Sequence, residues 1–186
     1  RGPYPRLLGP ELCWDEKRDA RTYAGPWPVV AHPPCGPWGR LRHMYRGSEH
    51  ALAPRAVELV RACGGVLEHP AYSDAWAAYG LPAPPSGGGW QGDIFGGFCC
   101  QVEQGNYGHR ARKATWLYCY GVDDPPSLKW GKGPAPEAWI STDRPREELA
   151  ARGIAQLSKR EAKATPIPFR DLLISIARGA RRMEAT

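Results

Sequence analysis

The sequence predicts an α/β fold: a small, mostly parallel, Rossmann-like sheet flanked by helices. Three observations carry that expectation. Short β-branched runs stop at prolines or glycines. Helical patterns fall between them, and alternation of this kind signals βαβ units. A long apolar stripe at helical spacing closes the chain.

The 186 residues suit one domain, taken as 1–186. Residues 1–26 read as irregular, rich in Pro, Gly and charge. The first strand is Pro28-Val29-Val30-Ala31-His32, ended by Pro33 and Pro34, which cannot donate ladder hydrogen bonds. A helix follows over Pro54 to Ala62, with proline in its first turn and Gly64-Gly65 at its exit. Val66-Leu67-Glu68-His69 is a second buried strand, stopped by Pro70. Ser73 caps a short helix through Tyr79, ended by Gly80. Residues 82–97 read as a loop, and Phe98 to Glu103 and Thr115 to Tyr120 as strands. A second Pro/Gly-rich loop covers Asp123 to Pro136. Asp143, Pro145 and Glu147 open a short helix ending at Gly153. Phe169, Leu172, Leu173, Ile176, Ala177 and Ala180 form the final helical stripe, with Arg178, Arg181 and Arg182 near its end.

Composition narrows the class. Hydrophobic residues at 42% and charged residues at 24% are ordinary for a globular domain. The 22 glycines and 20 prolines are spread along the chain, so they make a loop-rich fold rather than a linker. Eight tryptophans argue against disorder. No apolar run approaches the roughly 20 residues of a membrane span. A net charge of +6 suits a polyanionic partner, DNA or a nucleotide. The six cysteines read as reduced thiols, with Cys99, Cys100 and Cys119 on buried segments, and the expected location is cytoplasmic.

Three segments carry chemistry. Cys35 follows Pro33-Pro34, a stiff turn after a strand that would aim a thiol, a nucleophile if its pKa is lowered. Glu68 ends the next strand amid apolar neighbours, where a carboxyl can donate a hydrogen bond. The basic run Tyr107-Gly108-His109-Arg110-Ala111-Arg112-Lys113 would hold phosphate or a charged substrate. In an α/β sheet the first two fall together at the carboxyl ends of the strands, where ligands bind. A competing pattern is His32-x-x-Cys35, which has zinc-ligand spacing but lacks a second close ligand pair. Cys99 and Cys100 should point to opposite faces of their strand. Trp38 and Trp90, in loops beside the site, are candidates for stacking on a base.

These segments, in this order, resemble the DNA (cytosine-5) methyltransferases. That family has a Pro-Pro-Cys turn, matched by Pro33-Pro34-Cys35, and then Glu-Asn-Val or Glu-Asn-Pro, matched by Glu68-His69-Pro70. A Tyr-Gly before a Gln-x-Arg-x-Arg run is matched by Tyr107 to Lys113. Leu157-Ser158-Lys159-Arg160-Glu161 is similar to the family's Leu-Thr-x-Arg-Glu. The likeness spans about residues 28–161 as four short islands. It implies that Cys35 is a nucleophile, Glu68 the base-binding acid, and Arg110 and Arg112 positioning residues. Pro33, Pro34, His69, Tyr107, His109 and Lys113 would line the substrate. It implies S-adenosylmethionine as cofactor and no metal. The family's opening strand, its Phe-x-Gly-x-Gly loop and the acid that grips the cofactor ribose are not visible; only Gly2-Pro3-Tyr4 lies near the expected place. Asn is replaced by His69, and the Gln of the basic run is absent.

The expected function is therefore modification of a pyrimidine base in DNA by a methyltransferase-like enzyme. By analogy, such compact enzymes are often phage-encoded. The alternative is a non-catalytic DNA-binding or accessory protein on a degenerate methyltransferase scaffold, using Arg110, Arg112, Lys113 and the basic last helix. A zinc-supported domain around His32 and Cys35 is the third.

Overall fold

The computed structural model describes residues 3–140, 146–151 and 153–182. Among them no helix is long and apolar enough to cross a membrane. The order of elements is α1 (Pro5–Leu8), β1 (Val29–Ala31), α2 (Leu52–Cys63), β2 (Gly65–Pro70), α3 (Asp74–Ala78), β3 (Trp90–Gly92), β4 (Phe98–Glu103), β5 (Ala114–Tyr120), β6 (Ala138–Trp139), α4 (Arg146–Ala151), β7 (Ala155–Gln156), α5 (Lys159–Lys163) and α6 (Ile167–Gly179). The α/β class is therefore observed. The sheet is not mostly parallel, however. Its order is β1-β2-β5-β4-β3, and only β1 and β2 run parallel. The physical reason lies in the connections. The α2 helix carries the chain back across the sheet between β1 and β2, as a parallel pair requires. Direct connections of residues 93–97 and 104–113 fold β3, β4 and β5 back on one another as antiparallel neighbours, and β5 then lies antiparallel beside β2.

The Ser73 cap acts where it was read, whereas Pro70, expected to stop β2, is its last residue and pairs with Thr115. Ser73 accepts the Ala75 N–H and starts α3. Ser158 and Glu161 form a reciprocal capping box on α5, so the Leu157–Glu161 island is the entrance of a helix. The stretch 82–97 is not all loop, because Trp90–Gly92 pairs with β4. Three residues are too few to show a period in sequence. The short parallel pair of β6 and β7 escapes notice for the same reason. Asp143 and Pro145 lie outside the described residues; the helix they were to open is seen over Arg146–Ala151.

Alternation along the strands builds two cores. Val66, Cys100, Val102, Leu117 and Cys119 pack on one face against Phe169, Leu173, Ile176 and Ala177 of α6. Leu67, Cys99 and Tyr118 pack on the other, against Val57 and Val60 of α2 and Trp76 of α3. Cys99 and Cys100 thus face opposite ways. All six cysteines are free thiols.

Gly65 sets the β1–β2 register. It pairs with Val29 at φ +126°, and a Cβ there would overlap the Val29 carbonyl oxygen. Only glycine combines that φ with so close a backbone approach. Gly65→Ala should therefore lower stability by about 3 kcal/mol or more. Equilibrium urea unfolding measures it; a loss below about 1 kcal/mol would mean the strand pair does not need this contact.

Candidate functional site

The face covered by α6 is apolar along most of its length and polar at one end. Val30 on β1 is followed on the same face by His32, and Val66 on β2 by Glu68. Leu117 on β5 is preceded by Thr115 and then Lys113, while Val102 on β4 is followed by Gln104. The four strands thus deliver their polar residues to one place, at the carboxyl ends of the parallel pair.

Glu68 is the centre. Its carboxylate accepts from His32 Nδ1 at 2.8 Å and from Gln104 Nε2 at 3.0 Å. Gln104 is fully buried, and Nε2 also donates to Thr115 Oγ1 at 3.0 Å. The Thr115 hydroxyl in turn donates to the Lys113 carbonyl at 3.0 Å. Burial alone would raise the Glu68 pKa. The hydrogen bond and charge of His32, with the Lys113 ammonium, outweigh it and hold the carboxyl below its ordinary value. Glu68 is therefore ionised at neutral pH.

Cys35 and Lys113 complete the cluster. Cys35 is solvent-accessible, and its carbonyl anchors a tight turn by accepting from Trp38 and Gly39 N–H. Surrounding protein desolvates its thiolate and pushes the thiol up. The Glu68 carboxylate adds in the same direction, and Lys163 and Lys113 pull against them. Lys113 sits at φ +48°, a left-handed backbone that a non-glycine residue seldom adopts. Its ammonium donates to the Ala164 carbonyl at 3.0 Å. Burial depresses its pKa, against the attraction of Glu68 and Cys35.

The other predicted residues have different surroundings. Arg110 is tied to Glu137 at 3.5 Å and Glu161 at 3.1 Å, and Arg112 lies 3.8 Å from Glu103. The cation whose charge acts on Glu68 and Cys35 is instead Lys113. Tyr107 is a core residue, packed on Phe169, with its hydroxyl accepting from Lys129 N–H. His109 is buried and its Nδ1 is engaged with the Ala111 backbone; burial lowers its pKa. His69, on the opposite face from Glu68, is buried near Trp76, and desolvation lowers its pKa to about 4. Pro33 and Pro34 lie in the irregular segment between β1 and the Cys35–Gly39 turn, which they precede rather than form. Trp38 is committed to His50 and Tyr79, and Trp90 lies on β3 with its indole N–H on the Pro126 carbonyl.

Both ring nitrogens of His32 are engaged, Nδ1 by Glu68 and Nε2 by the Tyr4 hydroxyl at 2.6 Å. The zinc reading needs one of them. Among the described residues no group of three or more His, Cys, Asp or Glu is gathered as metal ligands. Gln104, Thr115 and Tyr4 were missed by sequence reading. They carry no motif, and each acquires meaning only through its partner.

No protein-family model matches this chain, and neither a curated protein nor a solved structure matches it.

Two predictions follow from the electrostatics. Iodoacetamide should label Cys35 slowly at pH 7 and about tenfold faster per pH unit until its raised pKa is passed. Glu68→Gln, which removes the nearby anion, should speed labelling at pH 8; an unchanged rate would show that Glu68 does not act on the thiol. For His69 the folded pKa lies below the unfolded value of about 6.5. The unfolded chain binds the extra proton, so stability is full above about pH 6.5 and is lost as pH falls toward 4. The loss from this residue is about 3 kcal/mol. Urea unfolding between pH 4 and 7 should show that slope, and His69→Phe should flatten it.

Proposed function

We propose that the chain is a DNA-modifying enzyme, cytosine-5 methyltransferase-like, that activates carbon 5 of a pyrimidine base. Cys35 is the nucleophile, Glu68 binds ring nitrogen 3, and Lys113 takes the positioning part that the resemblance gave to Arg110 and Arg112. The observation that carries this reading is convergence. A thiol on the turn that follows Pro33-Pro34, an ionised carboxylate and a half-buried ammonium lie within electrostatic reach of one another beyond β1 and on β2.

Carbon 5 of a pyrimidine is a poor nucleophile. The solvent-accessible Cys35 thiol first gives its proton to water, which returns it after elimination; when the thiolate sulfur then bonds to carbon 6, the π pair of the 5–6 bond moves into the ring. A proton at nitrogen 3 neutralises the charge, and the resulting enamine is nucleophilic at carbon 5. Once carbon 5 has bonded to an electrophile, loss of its original proton and expulsion of the thiolate from carbon 6 restore the ring. The raised thiol pKa means that substrate must help form the thiolate, and Lys163 and Lys113 are the cations whose charge favours it. The net charge of +6 favours DNA or a nucleotide as partner.

The resemblance implies S-adenosylmethionine as the methyl donor, but the described residues fit it poorly. No strand precedes β1 among them, and the segment before it holds only short helical turns. The glycine loop and the acid for the ribose have no counterpart there. The group transferred is thus left open, whereas activation of carbon 5 depends on the chain's own residues.

That activation is measurable without any donor. In D2O the enamine takes a deuteron at carbon 5, and elimination then releases the original proton. Mixed-sequence DNA, deoxycytidine monophosphate and deoxyuridine monophosphate incubated with the protein should gain deuterium, read by mass spectrometry. Cys35→Ala and Glu68→Gln should slow exchange by about 100-fold or more, and Lys113→Ala by about tenfold. Full exchange in Cys35→Ala would sink the proposal. No exchange by folded protein, with DNA binding that weakens steeply in salt, would replace it with the accessory-protein reading.

A further inference from the structure

His32 lies one residue beyond β1, between a hydroxyl and a carboxylate. Nδ1 is 2.8 Å from Glu68 Oε2 and Nε2 is 2.6 Å from the Tyr4 oxygen. About a quarter of the side chain is exposed. Tyr4 lies 28 residues before His32, just ahead of α1, and its segment is pinned where Arg170 of α6 donates to the Pro3 carbonyl at 3.3 Å. An imidazole held at both nitrogens has a fixed orientation, which is how proteins prepare a histidine to carry a proton.

The proposed chemistry leaves a proton unaccounted for. Ring nitrogen 3 must receive one as the Cys35 sulfur bonds to carbon 6. Glu68 accepts from two N–H donors, His32 and Gln104, and such an ionised carboxylate has no proton to give. The Gln104 amide is not acidic, and the Lys113 ammonium is bonded to the Ala164 carbonyl. His32 is the group in direct contact with Glu68 that can both hold a proton and release it.

We infer that His32 is the proton carrier of the Glu68 site, held in line by Tyr4; this rests on the pyrimidine reading above. In its charged form His32 donates Nδ1–H to Glu68 and Nε2–H to the Tyr4 oxygen. As the sulfur–carbon bond forms, the Nδ1 proton passes to Glu68 and the carboxyl gives a proton to nitrogen 3. His32 becomes neutral and keeps its Nε2–H on the Tyr4 oxygen, which holds the ring in place for the return of the proton. Elimination reverses each movement, so no proton is gained or lost over the cycle. His32 acts through Glu68. The groups facing this relay are Lys113 and Cys35 beside Glu68, and Arg170 and Asp171 beside Tyr4.

Two measurements on the full chain test this. Nitrogen-edited NMR of wild type should show a strongly downfield, hydrogen-bonded Nδ1 proton on His32. Glu68→Gln should abolish it, and Tyr4→Phe should shift it. The pH profile of carbon 5 deuterium exchange should fall on the alkaline side as His32 loses its proton. His32→Gln should be about 100-fold slower with that limb gone. Tyr4→Phe should be a few-fold slower with the limb displaced, and it remains informative if His32→Gln fails to fold. Wild-type rate and profile in His32→Gln, or no bonded His32 proton, would overturn the inference. A bonded proton without any wild-type exchange would overturn the pyrimidine reading, and with it the role of His32 toward nitrogen 3.

Discussion

An ionised carboxylate taken out of water costs several kcal/mol unless its charge and lone pairs are matched. Glu68 imposes that requirement on the polar end of this sheet. His32 comes from beyond β1, Gln104 from beyond β4 and Lys113 from the residue before β5, and each answers the same buried charge. Thr115 answers it at one remove by accepting from Gln104. Even the left-handed backbone of Lys113 belongs to this set, since it marks the residue whose ammonium acts on Glu68. Strain of this kind persists where surrounding contacts over-determine it.

The apolar remainder of the same face makes the arrangement rigid. Phe169 and Leu173 of α6 are fully buried against Val66, Leu117 and Val102. A helix packed so closely fixes the strands it covers, and therefore the spacing of the polar residues at their ends. The α6 helix also holds the N-terminal segment through Arg170, which brings Tyr4 to His32. The catalytic reading thus depends on a packing contact that carries no chemistry itself.

The resting state of the site is poised rather than armed. Burial and the neighbouring anion raise Cys35, so its thiol is mostly protonated at neutral pH. The Glu68 carboxylate already has partners on both oxygens. A base entering between them would displace or share existing hydrogen bonds, so recognition and activation would be coupled. Arg110 and Arg112, paired with acidic residues, serve mainly to hold the basic run against Glu137, Glu161 and Glu103.

What the sequence determined is local. Proline cannot continue a ladder, so Pro33 bounds β1; serine satisfies free helical N–H groups, so Ser73 and Ser158 start α3 and α5. Periodicity set α6 and the opposite facings of Cys99 and Cys100. It also placed the Cys35 turn and Glu68 at neighbouring strand ends, because both follow short strands joined by one helix. Tertiary structure decided the rest. Strand direction was misread because pattern does not encode pairing, and β3, β6 and β7 were too short to have a period. Which basic residue meets Glu68 depended on where competing acids lie. Gln104 stands 36 residues from Glu68, and Tyr4 stands 28 from His32. Hydrogen bonds at such separations arise only after burial has brought their strands together, so no local rule could reveal them.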